Sequence, residues 1–332
     1  MVEGTVGSHH KEGTTKMAKS TTIVAGIDTA KHKLDVAIHG MRGCWSFRND
    51  LSGWADLIEL LRRYNVCRVG IEATGGYERG VVAHLRQEDF AVVVLQPLQV
   101  RAFAQLTLCR AKNDRIDAAL IAACTAHHGG RSEPPDPRLV PLADLLTFVE
   151  QTEEDIARLK VRLEHVLEAD LRQIVRDDIK HFKKRRAEMI AKLEAELRAH
   201  QDLARRLDLV TSIDGIGLRT GLALIIRMPE LGRVSREQIA SLAGLAPFVH
   251  QSGKRKGETH IGGGRQRPRK SLYAASLPAA FQWNRALVDL YRRLTAAGKP
   301  HRLALVACAR KLLVFANAVL ARGTPWSKSL AT

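Results

Sequence analysis

The sequence has few aromatic residues, few cysteines and no long apolar run. Aromatic residues make up only 5% of its 332 residues, so its hydrophobic cores must be built mainly from Leu, Ile, Val and Ala. The lack of a run of about 18 apolar residues argues against a membrane-spanning helix. Residues 1–20 are polar throughout, which argues against a signal peptide. We therefore expect a disordered leader over 1–20 and a cytoplasmic protein.

The cysteine pattern argues against two further classes of protein. The cysteines are odd in number and include no CxxC pair, so neither a disulfide framework nor a structural zinc site is indicated. We expect reduced, mostly buried thiols, as is usual in the cytoplasm. The positions are Cys44, Cys67, Cys109, Cys124 and Cys308.

Acidic residues are scarce relative to basic ones. Lys and Arg total 52 while Asp and Glu total 35, which gives a formal net charge of +17. Such an excess repels itself unless a polyanion is nearby. Nucleic acid is the commonest such partner, because each neutralised phosphate releases counterions. An inert basic surface is the less favoured explanation.

The N-terminal third has the pattern of an α/β domain. Apolar runs at 23–28, 34–38, 45–47, 68–72 and 91–95 predict strands. Helical patterns at 52–64, 77–88 and 98–107 lie among them, and another begins near Asp114. Strands that alternate with helices predict a sheet covered by helices over 21–125. The Gly- and Pro-rich residues 126–142 predict a linker.

Residues 143–207 form a long, charged helical stretch. Its apolar residues recur at three and four positions, with a break at the basic run 183–186. This spacing predicts a coiled coil or an antiparallel pair of helices. A dimerisation arm and a helical hairpin within one subunit explain it about equally well. The residues that carry the spacing are Ile156, Leu159, Leu163, Val166, Ile190, Leu193 and Leu197.

Residues 208–325 predict a smaller, mostly helical domain, followed by a tail at 326–332. Gly215-Ile216-Gly217 between two helices resembles a helix-hairpin-helix turn, whose backbone N–H groups suit a phosphate. A plain glycine turn explains it nearly as well. Segment 250–270 holds seven Lys/Arg and five Gly, which predicts a flexible basic loop on a phosphate backbone. The basic residues expected to contact nucleic acid are Lys254, Arg255, Lys256, Arg265, Arg267, Arg269 and Lys270.

Four acids form a candidate metal site. Asp28 and Glu72 each end a predicted strand, where the sites of α/β sheets gather. Asp114 and Asp117 follow on one face of a helix. Clustered carboxylates need a cation between them, and hard oxygen ligands favour Mg²⁺ or Mn²⁺. Two such ions about 4 Å apart can assist phosphodiester cleavage. Taken singly, each acid is explained as well by capping, an ion pair or the helix dipole.

These motifs, in this order, resemble the DEDD transposases of bacterial insertion sequences, often called the IS one-ten family. The resemblance covers about residues 22–325. Its C-terminal part leads into a serine-glycine pair that looks like the family's catalytic serine. The matching segments are Gly26-Ile27-Asp28-Thr29-Ala30-Lys31, Leu34-Asp35-Val36, Ile71-Glu72-Ala73-Thr74-Gly75, Lys112-Asn113-Asp114-Arg115-Ile116-Asp117-Ala118, Gly215-Ile216-Gly217, Leu242-Ala243-Gly244-Leu245-Ala246-Pro247 and Gln251-Ser252-Gly253.

The resemblance implies a fold and a mechanism. The N-terminal domain should be RuvC-like, with a ribonuclease-H-like fold, and its four acids should bind the divalent metal. Ser252 should attack a DNA phosphate and form a covalent phosphoserine link. Family members work as dimers or tetramers, in which the serine of one subunit completes the acidic site of another. A structured guide RNA pairs with donor and target DNA, and the long helical stretch would join the subunits.

The residues around Ser252 fit this role independently. Gly253 allows close backbone approach to a substrate, and Lys254-Arg255-Lys256 could neutralise a phosphate in the transition state. A serine hydroxyl needs activation, which a metal on the carboxylates could supply. Two other serines, Ser271 and Ser276, lie nearby.

Three functional hypotheses result. The first is an RNA-guided recombinase that uses a serine nucleophile. The second is a metal-dependent DNA nuclease or Holliday-junction resolvase, which shares the four carboxylates but uses water as the nucleophile. The third is a non-catalytic nucleic-acid-binding protein in which the acids are incidental.

Overall fold

The computed structural model describes residues 22–108, 114–127, 136–252 and 255–327, while the side chains of 114–116, 249–252 and 255–259 lie outside the description. The chain divides into two compact units between Pro134 and Pro135. The predicted leader, Cys109, residues 128–135 of the predicted linker and the end of the predicted tail fall outside the described residues, whereas residues 126–127 and 139–142 of that linker are helical rather than a linker.

The N-terminal unit is a mixed sheet with helices on both faces. Its strands are β1 (Val24–Thr29), β2 (Lys33–Ile38), β3 (Trp45–Arg48), β4 (Arg68–Glu72) and β5 (Ala91–Leu95), and its helices are α1 (Leu51–Arg63), α2 (Arg79–Gln87), α3 (Pro97–Leu106) and α4 (Asp114–His127). The sheet order is β3-β2-β1-β4-β5, antiparallel from β3 to β1 and parallel from β1 to β5. The predicted mixed α/β class is confirmed for this unit. The predicted strands and helices of this unit are confirmed.

Two apolar layers cover the faces of this sheet. Ile27 and Ile71 belong to the layer formed with α1 and α2, which includes Leu57 and Leu85. Val93 and Leu95 belong to the layer formed with α3 and α4. Because both faces are covered, the central strands read as continuous apolar runs in the sequence.

The C-terminal unit is mostly helical. It contains α5 (Leu139–His165), α6 (Ala169–Arg198), α7 (Gln201–Thr211), α8 (Leu218–Arg227), α9 (Arg236–Leu242), the hairpin strands β6 (Pro247–Ser252) and β7 (Arg255–Ile261), α10 (Gln266–Pro278), a π-helical turn (Ala279–Trp283), α11 (Arg285–Ala296) and α12 (His301–Arg322). One apolar cluster joins residues of α5 and α6, such as Leu146 and Leu193, to α12 residues such as Leu312.

The structure differs from the sequence predictions at three places in this unit. Helices α5 and α6 form a hairpin that reverses at residues 166–168, and α6 continues through the basic run 183–186. The predicted boundary between 207 and 208 lies inside α7, and residues 135–332 form one unit. The prediction of a flexible loop over 250–270 is wrong, because backbone pairing of β6 with β7 orders most of it and α10 begins at Gln266.

Helix α12 is the one candidate for a membrane span among the described residues. It is long and apolar enough by length and composition, and 56% of its most apolar stretch is buried inside the protein. Core residues of α12 include Leu305, Leu312 and Phe315, so the helix has the burial of a core helix.

The described cysteines are less uniformly buried than predicted. Cys124 and Cys308 are buried, Cys44 is half-buried and Cys67 is exposed. Burial raises the pKa of the Cys124 thiol and raises that of Cys308 to about 11.

Candidate active site

The two strand-end acids lie on adjacent parallel strands. Ile27 of β1 is in register with Ile71 of β4, so the next positions, Asp28 and Glu72, are side by side and share a face of the sheet. Both residues are half-buried. Side chains two residues apart share a face, so this is the face of Gly26 and Gly70.

Helix α4 covers that face. A Cβ added at Gly26 would lie 2.7 Å from the Cα of Ala122, and one added at Gly70 would lie 2.8 Å from the Cβ of Thr125. Only glycine leaves room for the helix to approach the strands so closely. The two glycines therefore set the distance between the sheet and α4.

The direction of α4 follows from its C-terminal end. The ring of His127, the last residue of α4, lies 6.4 Å from the ring of His39. The backbone N–H of His39 donates to the carbonyl of Val24, at the start of β1. Helix α4 therefore ends where β1 begins, and it begins toward the end of the sheet where β1 and β4 finish. Its first turn carries Asp114 and Asp117.

Asp28, Glu72 and the first turn of α4 thus lie on one face of the sheet, toward the C-terminal ends of β1 and β4. Asp117 is half-buried, and the side chain of Asp114 is outside the description. Among the side chains that the structure does describe, no three His, Cys, Asp or Glu residues lie close enough to hold a metal ion. The donor set consists of carboxylates alone, which suits Mg²⁺ or Mn²⁺.

A fifth carboxylate, Asp35, also lies beside the site and was not predicted as part of it. Asp35 of β2 is the direct cross-strand partner of Asp28, so the two side chains share a face. Asp35 is 6% exposed, and one of its oxygens lies 2.8 Å from the Nζ of Lys33. The sequence does contain one signal for this position, because Asp35 is an acid between two apolar strand residues, Leu34 and Val36.

The predicted nucleophile, Ser252, is the last residue of β6. Its cross-strand partner is Arg255, at the start of β7, so Ser252 lies at the tip of the hairpin. Lys254 lies outside the described residues, as do the side chains of Arg255 and Lys256. Of the nearby serines, Ser276 is fully buried and its hydroxyl donates to the carbonyl of Tyr273, while Ser271 is half-buried on α10.

The four predicted basic contacts beyond the hairpin all have partners within the protein. Arg265 donates to Glu230 at 2.7 Å, and Arg267 donates to Glu150 at 2.6 Å. The guanidinium of Arg269 donates to the carbonyls of Gly244 and Gly263, and Lys270 lies 3.6 Å from Glu154. These pairs hold the start of α10 against α5, the hairpin base and the segment between α8 and α9. A count of charges does not indicate this structural role.

Glu150 lies at the centre of a cluster of arginines. Its carboxylate lies 2.8 Å from Arg227, 3.6 Å from Arg219 and 2.6 Å from Arg267. Burial lowers the pKa of the Arg227 guanidinium, while the charge of Glu150 acts in the opposite direction. Glu150, Arg219 and Arg267 line a cavity of about 540 Å³ between α5, α8 and α10.

Comparison with known proteins identifies the class. The transposase family DEDD_Tnp_IS110 matches residues 25–169, and the family described as Transposase IS116/IS110/IS902 matches residues 207–292. The pilin gene-inverting proteins of Moraxella bovis and Moraxella lacunata are each 27% identical to this chain and align with 92% of it and 98% of their own length. A chain with these relatives is a DNA transposase or recombinase.

The family follows from the same matches, which together cover more than half of the chain. The chain belongs to the IS110 family of DEDD transposases. A Streptomyces coelicolor protein named Insertion element IS110 uncharacterized 43.6 kDa protein is 30% identical over 134 residues, which is 40% of this chain and 33% of that protein. The Thermus thermophilus RuvC structure covers 34% of this chain and 84% of its own at 18% identity, with a TM-score of 0.23.

Proposed function

We propose that this transposase cleaves and rejoins DNA through a covalent phosphoserine at Ser252, assisted by divalent metal held by Asp28, Glu72, Asp114 and Asp117. The observation that carries the proposal is the direction of α4. The rings of His127 and His39 lie close together beside the start of β1, so the first turn of α4 lies toward the ends of β1 and β4. This direction supports the proposal that acids far apart in the sequence meet near the C-terminal ends of β1 and β4.

The reaction is a transesterification at phosphorus. The Oγ of Ser252 forms a bond to a backbone phosphorus, the bond from that phosphorus to a DNA oxygen breaks, and the serine proton is passed to the departing oxygen. Attack by a hydroxyl of the second DNA strand reverses these bonds and frees the serine. A divalent ion, when bound, neutralises charge on the phosphate and makes the serine hydroxyl more acidic. Basic residues at the hairpin tip are suited to hold the phosphate.

Substitution of the serine tests this chemistry. Ser252→Ala should abolish both DNA joining and the covalent protein–DNA adduct on a denaturing gel. Ser271→Ala is the matched control, because this serine is on α10 rather than at the hairpin tip, and it should retain the adduct. If cleavage survives in Ser252→Ala, the nuclease or Holliday-junction resolvase with a water nucleophile is the better explanation.

Substitution of the acids tests the metal site. Asp28→Asn and Glu72→Gln should each abolish cleavage at any concentration of Mg²⁺ or Mn²⁺. The control is Asp56→Asn, on α1 and away from the strand ends, which should cleave normally. Undiminished strand exchange in the two site variants would show that the acids are incidental and would refute the proposed metal-assisted mechanism.

The proposal includes a homo-oligomer in which one subunit's serine completes another subunit's acidic site. The hairpin of α5 and α6 has exposed apolar side chains at and near its tip, including Leu167, which is 91% exposed, and Leu171 and Ile174. A mixture of Asp28→Asn and Ser252→Ala subunits should recover activity that neither has alone. Recovery would be absent if each subunit used its own serine.

We also propose a structured guide RNA encoded beside the gene. The net charge of +17 supports a nucleic-acid partner but does not choose RNA over DNA. Protein purified from its native host should be enriched in one transcript of defined sequence, and that RNA should be required for joining. Recovery of a random RNA population would argue for nonspecific attraction to a basic surface.

A further inference from the structure

The π-helical turn presents two large aromatic side chains to solvent. Phe281 and Trp283 are 51% and 57% exposed. Tyr77, Phe148 and Phe248 are comparably exposed, but among the described residues only this turn carries two exposed aromatic rings. π-helical turns are rare and occur frequently at functional sites. The turn has no part in the proposed chemistry of the acids and the serine.

The turn is held rigidly by Asn284, which is 2% exposed. The side-chain oxygen of Asn284 accepts from the N–H of Leu287, and its amide donates to the carbonyl of Asp214 at 2.9 Å. Its backbone N–H donates to the carbonyl of Ala279, which closes the π-helical turn. On the other side, a Cβ at Gly215 would collide with the side chain of Ala279. The aromatic turn is therefore fixed against the Gly215 turn.

Trp283 forms one wall of a cavity of about 600 Å³. A second tryptophan, Trp326, also lines it, and its ring packs on Phe315 at 4.3 Å. Two arginines line the cavity as well. Arg285 lies 3.2 Å from Asp289, whereas Arg292 is exposed and has no ion pair within the described residues.

Phe281 is held in place by two neighbouring rings. The ring of Tyr291 meets it edge-on at 5.1 Å, and the imidazole of His301 lies parallel to it at 6.2 Å. The hydroxyl of Tyr291 and the Nδ1 of His301 lie 2.7 Å apart. Phe281 and Trp283 both line the cavity and belong to one fixed turn, and a fixed ring loses little conformational entropy when a planar ligand stacks on it.

We infer that this cavity binds an unpaired nucleotide, whose base stacks on Trp283 and whose phosphate pairs with Arg292. The size is that of a small-ligand cavity. Exposed aromatic rings beside arginines are the means by which proteins bind single strands without reading sequence. Strand exchange by a recombinase exposes such unpaired bases, in DNA or in an RNA bound to it. The inference does not depend on Ser252 or on the metal site.

The cavity is not expected to bind polyanions by charge alone. The carboxylates of Asp214 and Asp289 line it together with Arg285 and Arg292, so charges of the two signs are balanced there. Stacking must then supply the preference for nucleic acid. The contribution of Trp283 to affinity should consequently be nearly independent of salt, because stacking releases no counterions.

The test is a binding measurement with the full-length protein and fluorescently labelled 12-nucleotide oligomers of single-stranded DNA, single-stranded RNA and duplex DNA. Trp283→Leu keeps apolar volume but cannot stack, and Trp283→Phe keeps a ring. The matched control is Phe148→Ala, an exposed aromatic on α5. Trp283→Leu should weaken binding of at least one single strand roughly 5- to 150-fold. Trp283→Phe and Phe148→Ala should bind within threefold of the parent protein, as should Trp283→Leu on duplex DNA.

The two single-stranded arms identify the source of the nucleotide. A loss confined to the DNA oligomer assigns the cavity to a displaced DNA strand, and a loss confined to RNA assigns it to an RNA partner. The inference is overturned if Trp283→Leu binds both single strands within threefold of the parent protein, or if it weakens duplex binding as much as single-strand binding. A second measurement uses the parent protein and single strands containing 2-aminopurine, whose fluorescence should fall on binding. No fall in either strand would also overturn the inference.

Discussion

Gly26→Ala should damage both the stability and the activity of the transposase, although it adds one methyl group. The added Cβ would lie 2.7 Å from the Cα of Ala122 and closer still to the backbone atoms Ala122 N and Ala118 O. Ordinary contact begins at about 3.4 Å. Because the opposing atoms are backbone rather than flexible side chain, α4 must move away from β1 by about 1 Å.

Two effects of different size follow. Overpacking of this kind costs about 1–3 kcal/mol of the free energy of unfolding. The same shift moves Asp117 relative to Asp28, and a misplacement of 1 Å can lower a rate by about 100-fold. At a temperature where the variant is still folded, strand joining should therefore fall far more than the folded fraction does.

The assay pairs urea denaturation with strand joining on DNA that carries the ends of the protein's own element. Gly75→Ala is the stability control, because a Cβ there meets nothing within 4 Å, and it should change the unfolding free energy by less than about 0.5 kcal/mol. A second arm is Gly70→Ala, whose clash is with the side chain of Thr125 and should be partly relieved by Thr125→Ala. Wild-type joining by a folded Gly26→Ala protein would refute the role of α4 in placing the acids.

Three further outcomes are expected. Glu150→Gln should lower the unfolding free energy by about 2 kcal/mol, since it leaves the half-buried Arg227 without a counter-charge, while Arg219 keeps its pair with Glu153. Glu154→Gln, at an exposed carboxylate, should change the unfolding free energy by less than about 1 kcal/mol in urea denaturation. Burial raises the pKa of the Glu230 carboxyl, but hydrogen bonds from Arg265 and the backbone outweigh burial and leave that pKa below its usual 4.5. The stability that this pair contributes should be complete above about pH 4.5 and should be lost as the pH falls through the lower pKa of the folded state. Arg265→Gln should remove this pH-dependent contribution from the acid denaturation curve. Alkylation of native protein at pH 8 should label the exposed Cys67 well before the two buried thiols, whose pKa values burial raises; mass spectrometry of a protein labelled first at a buried thiol would contradict this.

Much of the N-terminal unit could be predicted because its signals are local. Strands buried on both faces, such as β4 and β5, require continuous apolar runs, and an acid at the end of such a run marks the carboxyl edge of a parallel sheet. Asp28 and Glu72 are found in this way. Asp35 is not, because its place beside Asp28 comes from the antiparallel register of β1 with β2, which no local pattern specifies.

The C-terminal unit was harder to predict because its ordering contacts are long-range. Residues 250–270 have the composition of a loop, yet β6 and β7 pair as antiparallel strands through their backbones. The acidic partner of Arg267 is 117 residues away, on α5, and that of Arg265 is 35 residues away. A count of basic residues cannot distinguish an arginine that grips phosphate from one that joins two helices.

The length of the β6–β7 hairpin sets how far Ser252 lies from the base of the hairpin, and that distance changes by whole residues. The six residues of β6 extend roughly 20 Å at about 3.3 Å per residue. The base of the hairpin is fixed in position. A Cβ at Gly264 would lie 2.6 Å from the Cα of Gly244, and the N–H of Arg265 donates to the carbonyl of Leu242. Deleting one residue from each strand would retract the serine by about 3 Å and rotate it to the opposite side of the ribbon, whereas deleting two would retract it by about 7 Å and keep its side. A change in hairpin length should therefore keep the serine on the same side of the ribbon only in increments of two residues per strand.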